Sequence, residues 1–265
     1  MASVRRSHTR NGAAYLEQGS GEPLVLIHGV GMRLEAWAPQ MTVLSRSHRV
    51  IAVDMPGHGE SRALPVGAGL DAFVDWLGSF LDDLKLDQAN VAGHSMGALI
   101  AGGTAATFGS RVSRVALLNA VYRRDPAARA AVINRARKIQ DGEVDIDGPL
   151  LRWFGADAQG SETYRLTRSW LSGVDRAAYA TAYAAFAGGD DTYADGWKKV
   201  RCPALFLTGA DDPNSTPAMA HAMAQAAPHG YAVLIAGHRH MVNLTAPQEV
   251  NTILANWLAK PEETQ

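Results

Sequence analysis

The residue pattern with the clearest chemical content is the pentapeptide GHSMG at positions 93–97, which places a serine between two glycines. It follows a short strand predicted at 90–92 and precedes a stretch of small residues, so it lies between a predicted strand and a predicted helix. Such a turn holds its central residue in a strained conformation, and the small flanking residues prevent clashes. We therefore predict that Ser95 is an exposed nucleophile and that the Met96 amide, at the helix start, faces developing negative charge.

A glycine-containing loop, HGVG at 28–31, follows the apolar run at 24–27. A hydrolase needs two backbone N–H donors for an oxyanion, and the loop after an earlier strand supplies the second. The amide of Val30 is the candidate, and an ordinary glycine turn is the alternative interpretation. The chain has neither a G-x-G-x-x-G sequence nor a lysine-bearing phosphate loop, which argues against phosphate binding.

A serine hydroxyl is a weak nucleophile at neutral pH and requires a general base. Two carboxylates, Asp211 and Asp212, follow the apolar run at 204–208, and two histidines, His238 and His240, follow the last predicted strand. Both pairs lie at carboxyl ends of strands, where ligand sites gather in open parallel sheets. Spacing alone leaves the choice within each pair open.

The alternating histidines of HRH at 238–240 raise the question of a metal site. Neither a cysteine nor a cluster of acidic residues lies near them in the sequence, whereas zinc sites draw on such ligands. We therefore expect no metal.

Apolar runs alternate with stretches of helical spacing along most of the chain. Strands are predicted at 24–27, 49–53, 90–92, 115–118, 204–208 and 232–235. Helices are predicted at 36–44, 71–86, 97–108, 217–226 and 247–259. This alternation predicts an α/β fold with a mostly parallel sheet and helices on both of its faces.

The alternation is interrupted between residues 123 and 199, where helical stretches continue without a convincing strand. We predict a helical insertion at 123–199. The α/β core is then built from residues 1–122 and 200–265.

Bulk composition excludes several classes of protein. The formal net charge of −1 provides no global field toward nucleic acid or an anionic membrane. No run of 18 apolar residues is present, and the N-terminal segment lacks the apolar stretch of a signal peptide. The single cysteine, Cys202, cannot form an intramolecular disulfide. We expect a cytoplasmic protein that acts on a small molecule, and the sequence leaves its oligomeric state open.

These motifs together resemble the α/β-hydrolase superfamily over nearly the whole chain. The matching segments are HGVG at 28–31, DMPGHGES at 54–61, GHSMGA at 93–98, GADDPNSTP at 209–217 and HMVNLTAP at 240–247. They are similar to the branch that contains 3-oxoadipate enol-lactonases, small esterases and carbon–carbon bond hydrolases. The resemblance implies the α/β-hydrolase fold, a Ser-Asp-His triad and no cofactor.

The resemblance also selects among the acid and base candidates. In the family pattern the acid lies three residues after a glycine, which selects Asp212 over Asp211. The histidine precedes an apolar pair, which selects His240 over His238. Some relatives place the acid after an earlier strand, so Asp125 is the fallback.

By the same resemblance, the insertion at 123–199 is a cap that shapes the substrate pocket. The candidate lining residues are Trp153, Trp170, Tyr183, Arg165 and Arg168. The two arginines are the candidates to receive a substrate carboxylate. The aromatic residues could instead pack within the cap, and the arginines could belong to a solvated helix face.

The sequence thus predicts a serine hydrolase that cleaves a carboxylic ester or lactone through an acyl-enzyme. The alternatives are a carbon–carbon bond hydrolase of vinylogous diketones with the same triad, a serine acyltransferase or perhydrolase, and a non-catalytic ligand receptor. Dehalogenase and epoxide hydrolase chemistry is disfavoured, because those relatives carry aspartate where this chain carries Ser95.

Overall fold

The computed structural model describes residues 5–143 and 145–260. Within these ranges, eight strands form one sheet. The strands are β1 (Ser7–His8), β2 (Ala14–Gln18), β3 (Pro23–Ile27), β4 (Arg49–Val53), β5 (Ala89–His94), β6 (Val112–Leu118), β7 (Ala204–Gly209) and β8 (Gly230–Ile235). Their spatial order is β1-β2-β4-β3-β5-β6-β7-β8. The pairs β1–β2 and β2–β4 are antiparallel, and the remaining pairs are parallel.

The helices of the described ranges surround this sheet. They are α1 (Ala38–Leu44), α2 (Leu70–Asp83), α3 (Met96–Thr107), α4 (Pro126–Gln140), α5 (Asp147–Phe154), α6 (Glu162–Ser172), α7 (Arg176–Gly188), α8 (Pro217–Ala226), α9 (Val242–Thr245) and α10 (Pro247–Leu258). None of the helices within the described ranges combines the length and hydropathy that a membrane span requires.

The sheet is buried on both faces, as the continuous apolar runs predict. In β3, Val25 and Ile27 pack into one hydrophobic cluster with α2 and α3, whereas Leu24 and Leu26 pack into a second with α1 and α10. All four side chains are fully buried. The predicted fold class, a mostly parallel sheet with helices on both faces, is confirmed.

The antiparallel strands β1 and β2 were not predicted from the sequence. Residues 14–18 read AYLEQ, and their exposure rises from the buried Ala14 to the exposed Gln18. A strand near a sheet edge, partly open to solvent, needs neither the continuous apolar run of a central strand nor a regular alternation. The sequence of β2 therefore carries little periodic signal.

The segment at 123–199 contains α4, α5, α6 and α7, and no strand occurs among its described residues. Helix α4 packs against α7. Several aromatic side chains of the segment, including Tyr164 and Trp170 on α6, are buried in the hydrophobic cluster that also contains Val25 and Ile27. The segment follows β6 and precedes β7, which pair with each other, so it connects two neighbouring strands of the sheet.

Candidate active site

Ser95 lies at the turn between β5 and α3, with φ +55° and ψ −114°. A positive φ is strained for a residue with a side chain, and such strain is concentrated at functional sites. The flanking glycines make the turn possible. A Cβ on Gly93 would lie 2.0 Å from the carbonyl oxygen of Gly97, and a Cβ on Gly97 would lie 2.3 Å from that of Ile27. Ser95 is buried rather than exposed as predicted, and it lines a cavity together with His240.

His240 and Asp212 form a buried hydrogen bond of 2.7 Å between Nδ1 and Oδ2. The Asp212 carboxylate also accepts from Asn119 Nδ2 and from the backbone N–H of Asn214, both at 2.8 Å. Burial would raise the pKa of the Asp212 carboxyl, but His240 and these donors outweigh it, so the pKa lies below its ordinary value. An ionised Asp212 holds the His240 proton on Nδ1 and leaves Nε2 as the basic nitrogen.

The competing acid and base candidates lie apart from this pair. Asp211 is exposed, and its backbone N–H donates to the carbonyl of His238 at 3.0 Å. Asp125 is exposed and caps α4 by accepting from the Ala128 N–H at 2.8 Å. The imidazole of His238 contacts the Thr245 hydroxyl at 2.9 Å. The structure thus brings together the acid and the base that the family pattern selects.

Val30 and Met96 are buried residues near Ser95. Val30 lines the same cavity, and Met96 is the first residue of α3. In the described part of the chain, neither N–H has a hydrogen-bond acceptor. Buried backbone donors without partners are rare, and a helix start favours negative charge. Both amides are therefore available to an anionic oxygen.

Two buried histidines support the loop that carries Val30. His58 Nε2 accepts from the Gly31 N–H, and His28 Nε2 accepts from the Met55 N–H, both at 2.9 Å. An Nε2 that accepts requires a neutral ring with its proton on Nδ1. Burial lowers the pKa of His28, and it lowers that of His58 to about 4. The sequence analysis did not predict that both rings accept from backbone N–H groups.

These histidines predict acid sensitivity of the fold. The unfolded chain takes up histidine protons near pH 6.5, whereas folded His58 does so only near 4. Burial lowers the pKa of His28 too, and that of His94 to about 3. Between these values the unfolded state binds more protons, so the free energy of unfolding should fall as pH decreases from about 6.5 to about 4. Each histidine contributes at most one proton, or roughly 1 kcal/mol per pH unit.

Urea unfolding at a series of pH values measures this slope. In a His58→Gln variant, the free energy of unfolding should depend less steeply on pH, by the equivalent of about one proton, because glutamine does not titrate. The matched control is His221→Gln, at an exposed histidine, which should keep the wild-type slope. An identical slope in His58→Gln and wild type would contradict the interpretation.

The cavity that contains Ser95 and His240 has a volume of about 160 Å³. Trp153 and Tyr183 line it, and Trp170 is buried but does not. The Trp153 ring stacks on the His240 imidazole, with centroids 5.9 Å apart and planes at 23°. The His240 backbone N–H also donates to the Trp153 carbonyl at 3.1 Å. Trp153 thus contacts the candidate base directly.

The structure does not bring Arg165 and Arg168 to this cavity, which corrects the expectation that they receive a substrate carboxylate there. Both are exposed. Arg165 donates to the Gly160 carbonyl, and Arg168 lies 3.3 Å from the Asp147 carboxylate. These partners are exposed as well, which agrees with the alternative interpretation of a solvated helix face.

Other arginines line the cavity and were missed from the sequence. They are Arg124, Arg135 and Arg152. The available signal was the helical period of α4, where Val132 and Ala136 are buried and Arg135 shares their face. Within residues 5–143 and 145–260, no group of three or more His, Cys, Asp or Glu side chains is placed to hold a metal ion.

Comparison with known proteins identifies relatives across this chain. The profile of the family described as "Alpha/beta hydrolase family" matches residues 24–253. The "(E)-2-((N-methylformamido)methylene)succinate hydrolase" of Acinetobacter baylyi is 52% identical over 246 residues, which is 93% of this chain and 94% of that relative.

Solved structures show the same fold. The enol-lactonase from Burkholderia xenovorans LB400 superposes with a TM-score of 0.84 at 26% identity, covering 97% of this chain and 100% of that one. A thermophilic esterase from Thermogutta terrifontis superposes with a TM-score of 0.86 at 24% identity, covering 96% of this chain and 98% of that one.

Proposed function

This chain belongs to the alpha/beta hydrolase family, and from that membership we propose that it is a serine hydrolase that works through an acyl-enzyme. Ser95 is the nucleophile, His240 the general base and Asp212 the group that orients the imidazole. The observation that carries the proposal is the 2.7 Å Asp212–His240 hydrogen bond, made beside a cavity that Ser95 and His240 share. A serine without such a base is a weak nucleophile.

In the proposed reaction, His240 Nε2 takes the proton of Ser95 Oγ as that oxygen attacks the acyl carbonyl carbon. The amides of Val30 and Met96 hold the resulting oxyanion, and each such donor contributes about 3 kcal/mol in comparable enzymes. The leaving group departs with the proton from His240, and an ester on Ser95 remains. Water, deprotonated by His240, then cleaves this ester and releases the acid.

For the substrate, the sequence indicates a carboxylic ester or lactone, and the 52% identical relative adds a more specific possibility. In (E)-2-((N-methylformamido)methylene)succinate, both carboxylates are anions and resist attack, so the formamide carbonyl is the electrophile. Attack there breaks the formyl–nitrogen bond and releases an enamine, in which the nitrogen lone pair is conjugated with the adjacent carbon–carbon double bond. An enol-lactone releases a conjugated enol in the same way. We propose an acyl substrate with such a conjugated leaving group, and the N-formyl enamine is the first to test.

We also propose that residues 123–199 act as a cap over Ser95, on a core formed by 1–122 and 200–265. The support is Trp153, which stacks on His240 and lines the cavity, together with Tyr183 on another helix of the segment. A cap excludes bulk water and strengthens the oxyanion contacts. If the segment instead packed beside the sheet and never met substrate, these contacts with the cavity would have no role in the reaction.

The experiment that tests the function combines an active-site probe with turnover. We expect a fluorophosphonate to label the native protein once, on Ser95, as measured by intact mass and peptide mapping, with heat-denatured protein as the control. We expect formate release from the N-formyl enamine. Absence of Ser95 labelling would exclude the serine mechanism. Labelling without turnover of the enamine, esters or lactones would favour the non-catalytic receptor.

A further inference from the structure

Positive charge is concentrated in the wall of the cavity that contains Ser95. Three of its lining residues are arginines: Arg124, Arg135 and Arg152. Within the described ranges, no aspartate or glutamate lines this cavity. Uncompensated charge in a partly buried, largely apolar wall is unfavourable unless a partner of opposite charge completes it.

Arg124 is already neutralised inside the protein. Its Nη1 lies 3.1 Å from Asp190 Oδ1, and its guanidinium lies over the Phe186 ring at 4.7 Å. Arg129 approaches the same buried carboxylate at 3.0 Å. These contacts hold α4 to the end of α7 and give Arg124 a structural role.

Within the described ranges, Arg135 and Arg152 form no ion pair with a carboxylate, unlike Arg124. Arg135 Nη1 donates to the Tyr183 hydroxyl at 3.1 Å. The Arg152 guanidinium makes no hydrogen bond or ion pair with any residue of 5–143 or 145–260. Asp145 attracts it only from beyond ion-pair distance. Both arginines are half-buried.

The two guanidiniums also act on each other. Burial lowers the pKa of Arg152, and the positive charge of Arg135 lowers it further. Two like charges held together without a carboxylate partner oppose folding. Such local conflicts are typical of functional sites, where a ligand supplies the missing charge.

The position of the pair adds a second argument. A larger cavity, of about 560 Å³, adjoins the inner one, and Arg135 and Arg152 line both. Two carboxylates, Glu143 and Asp145, also line the outer cavity, but within the described ranges neither lies at ion-pair distance from the two arginines, and Glu143 pairs with Lys138 at 3.4 Å. The pair therefore lies at the junction through which a molecule in the outer cavity reaches Ser95. The inner cavity, at about 160 Å³, has room for only a small acyl group beyond this junction.

We propose that Arg135 and Arg152 form a receptor for the two carboxylates of a small dicarboxylate substrate. Each planar guanidinium offers paired N–H donors that match a carboxylate. With both carboxylates held at the junction, the acyl end of the substrate reaches Ser95. This proposal rests on the proposed function for the position of the acyl group, whereas the binding of the dianion itself does not depend on turnover.

The test uses itaconate, a succinate that carries a methylene group, and its neutral diamide, which resists hydrolysis far better than an ester would. Calorimetric titration of the whole chain, at fixed ionic strength and neutral pH, gives both dissociation constants. We expect the dianion to bind at least about 100-fold more tightly than the diamide. Arg135→Gln and Arg152→Gln should each weaken dianion binding by about 10- to 100-fold and leave diamide binding unchanged.

Arg137→Gln is the matched control, because Arg137 lies on α4 two residues from Arg135 but is exposed. It should bind the dianion as wild type does. Arg152→Lys should fall between wild type and Arg152→Gln, because it keeps the charge and loses the paired donors. Thermal unfolding checks that each variant is folded.

Equal binding of dianion and diamide by the wild-type chain would overturn the proposal without any variant. Undiminished dianion selectivity in a folded Arg135→Gln/Arg152→Gln double variant would overturn it as well. Fluorophosphonate labelling of Ser95 separates the two proposals. Labelling without dianion selectivity refutes the receptor alone, and dianion selectivity without labelling refutes the serine mechanism alone.

Discussion

Replacing Ser95 with alanine is expected to lower kcat/KM by about 10⁶-fold, because the members of a triad act as a unit and loss of the nucleophile removes the acyl-enzyme route. The residual rate should reflect only binding and the oxyanion donors. Steady-state turnover of the N-formyl enamine or of an activated ester measures the loss. Fluorophosphonate labelling should disappear in parallel.

The Ser95→Ala variant should remain folded, because alanine fits the same turn and removes only a hydroxyl. Its thermal midpoint and circular dichroism spectrum provide the check. Ser169→Ala, at an exposed serine of α6, is the matched control and should keep full activity. Substantial hydrolysis by a folded Ser95→Ala protein would remove Ser95 from the mechanism.

Asp212→Asn is expected to lower kcat by about 10⁴-fold, as in comparable triads. An amide that donates to His240 Nδ1 leaves the proton on Nε2, where it cannot accept from Ser95. The same amide would meet the Asn119 Nδ2 donor, which now binds the carboxylate at 2.8 Å. The variant therefore loses the His240 tautomer that carries its proton on Nδ1, and the Asn119 Nδ2 donor loses its carboxylate acceptor.

Asp211→Asn and Asp125→Asn serve as controls for Asp212→Asn. Asp211 is exposed, and Asp125 caps α4 through the Ala128 N–H, so neither approaches His240. Both variants should retain activity within a few-fold, measured as kcat on the same substrate. A larger loss at either position than at Asp212 would identify a different acid.

The sequence predicted the central sheet and the nucleophile turn because both depend on local pattern. Buried parallel strands require unbroken apolar runs, and the backbone at Ser95 requires glycine at 93 and 97, where a Cβ would collide with carbonyl oxygens. The choice of Asp212 over Asp211 needed the family pattern. Neighbouring carboxylates look alike in sequence, and only the fold decides which is buried against His240.

The arginines show what the sequence could not provide. Arg165 and Arg168 are exposed on α6, whereas Arg135 and Arg152 reach the cavity from α4 and α5. Helical spacing gives the face of one helix but not the neighbour that the face meets. The packing of α4 against α7, which directs Arg135 toward Tyr183, is a tertiary contact without a local signal.

The contact of Trp153 with His240 has a consequence for how catalysis is timed. Trp153 is on α5, and it meets His240 through both a stacked ring and its carbonyl oxygen. Under the proposed function, an outward displacement of α5 would remove an acceptor from the His240 backbone and a wall from its imidazole. Substrate admission by that route and alignment of the base would then be thermodynamically linked, and a molecule that drew α5 inward on binding would restore the alignment.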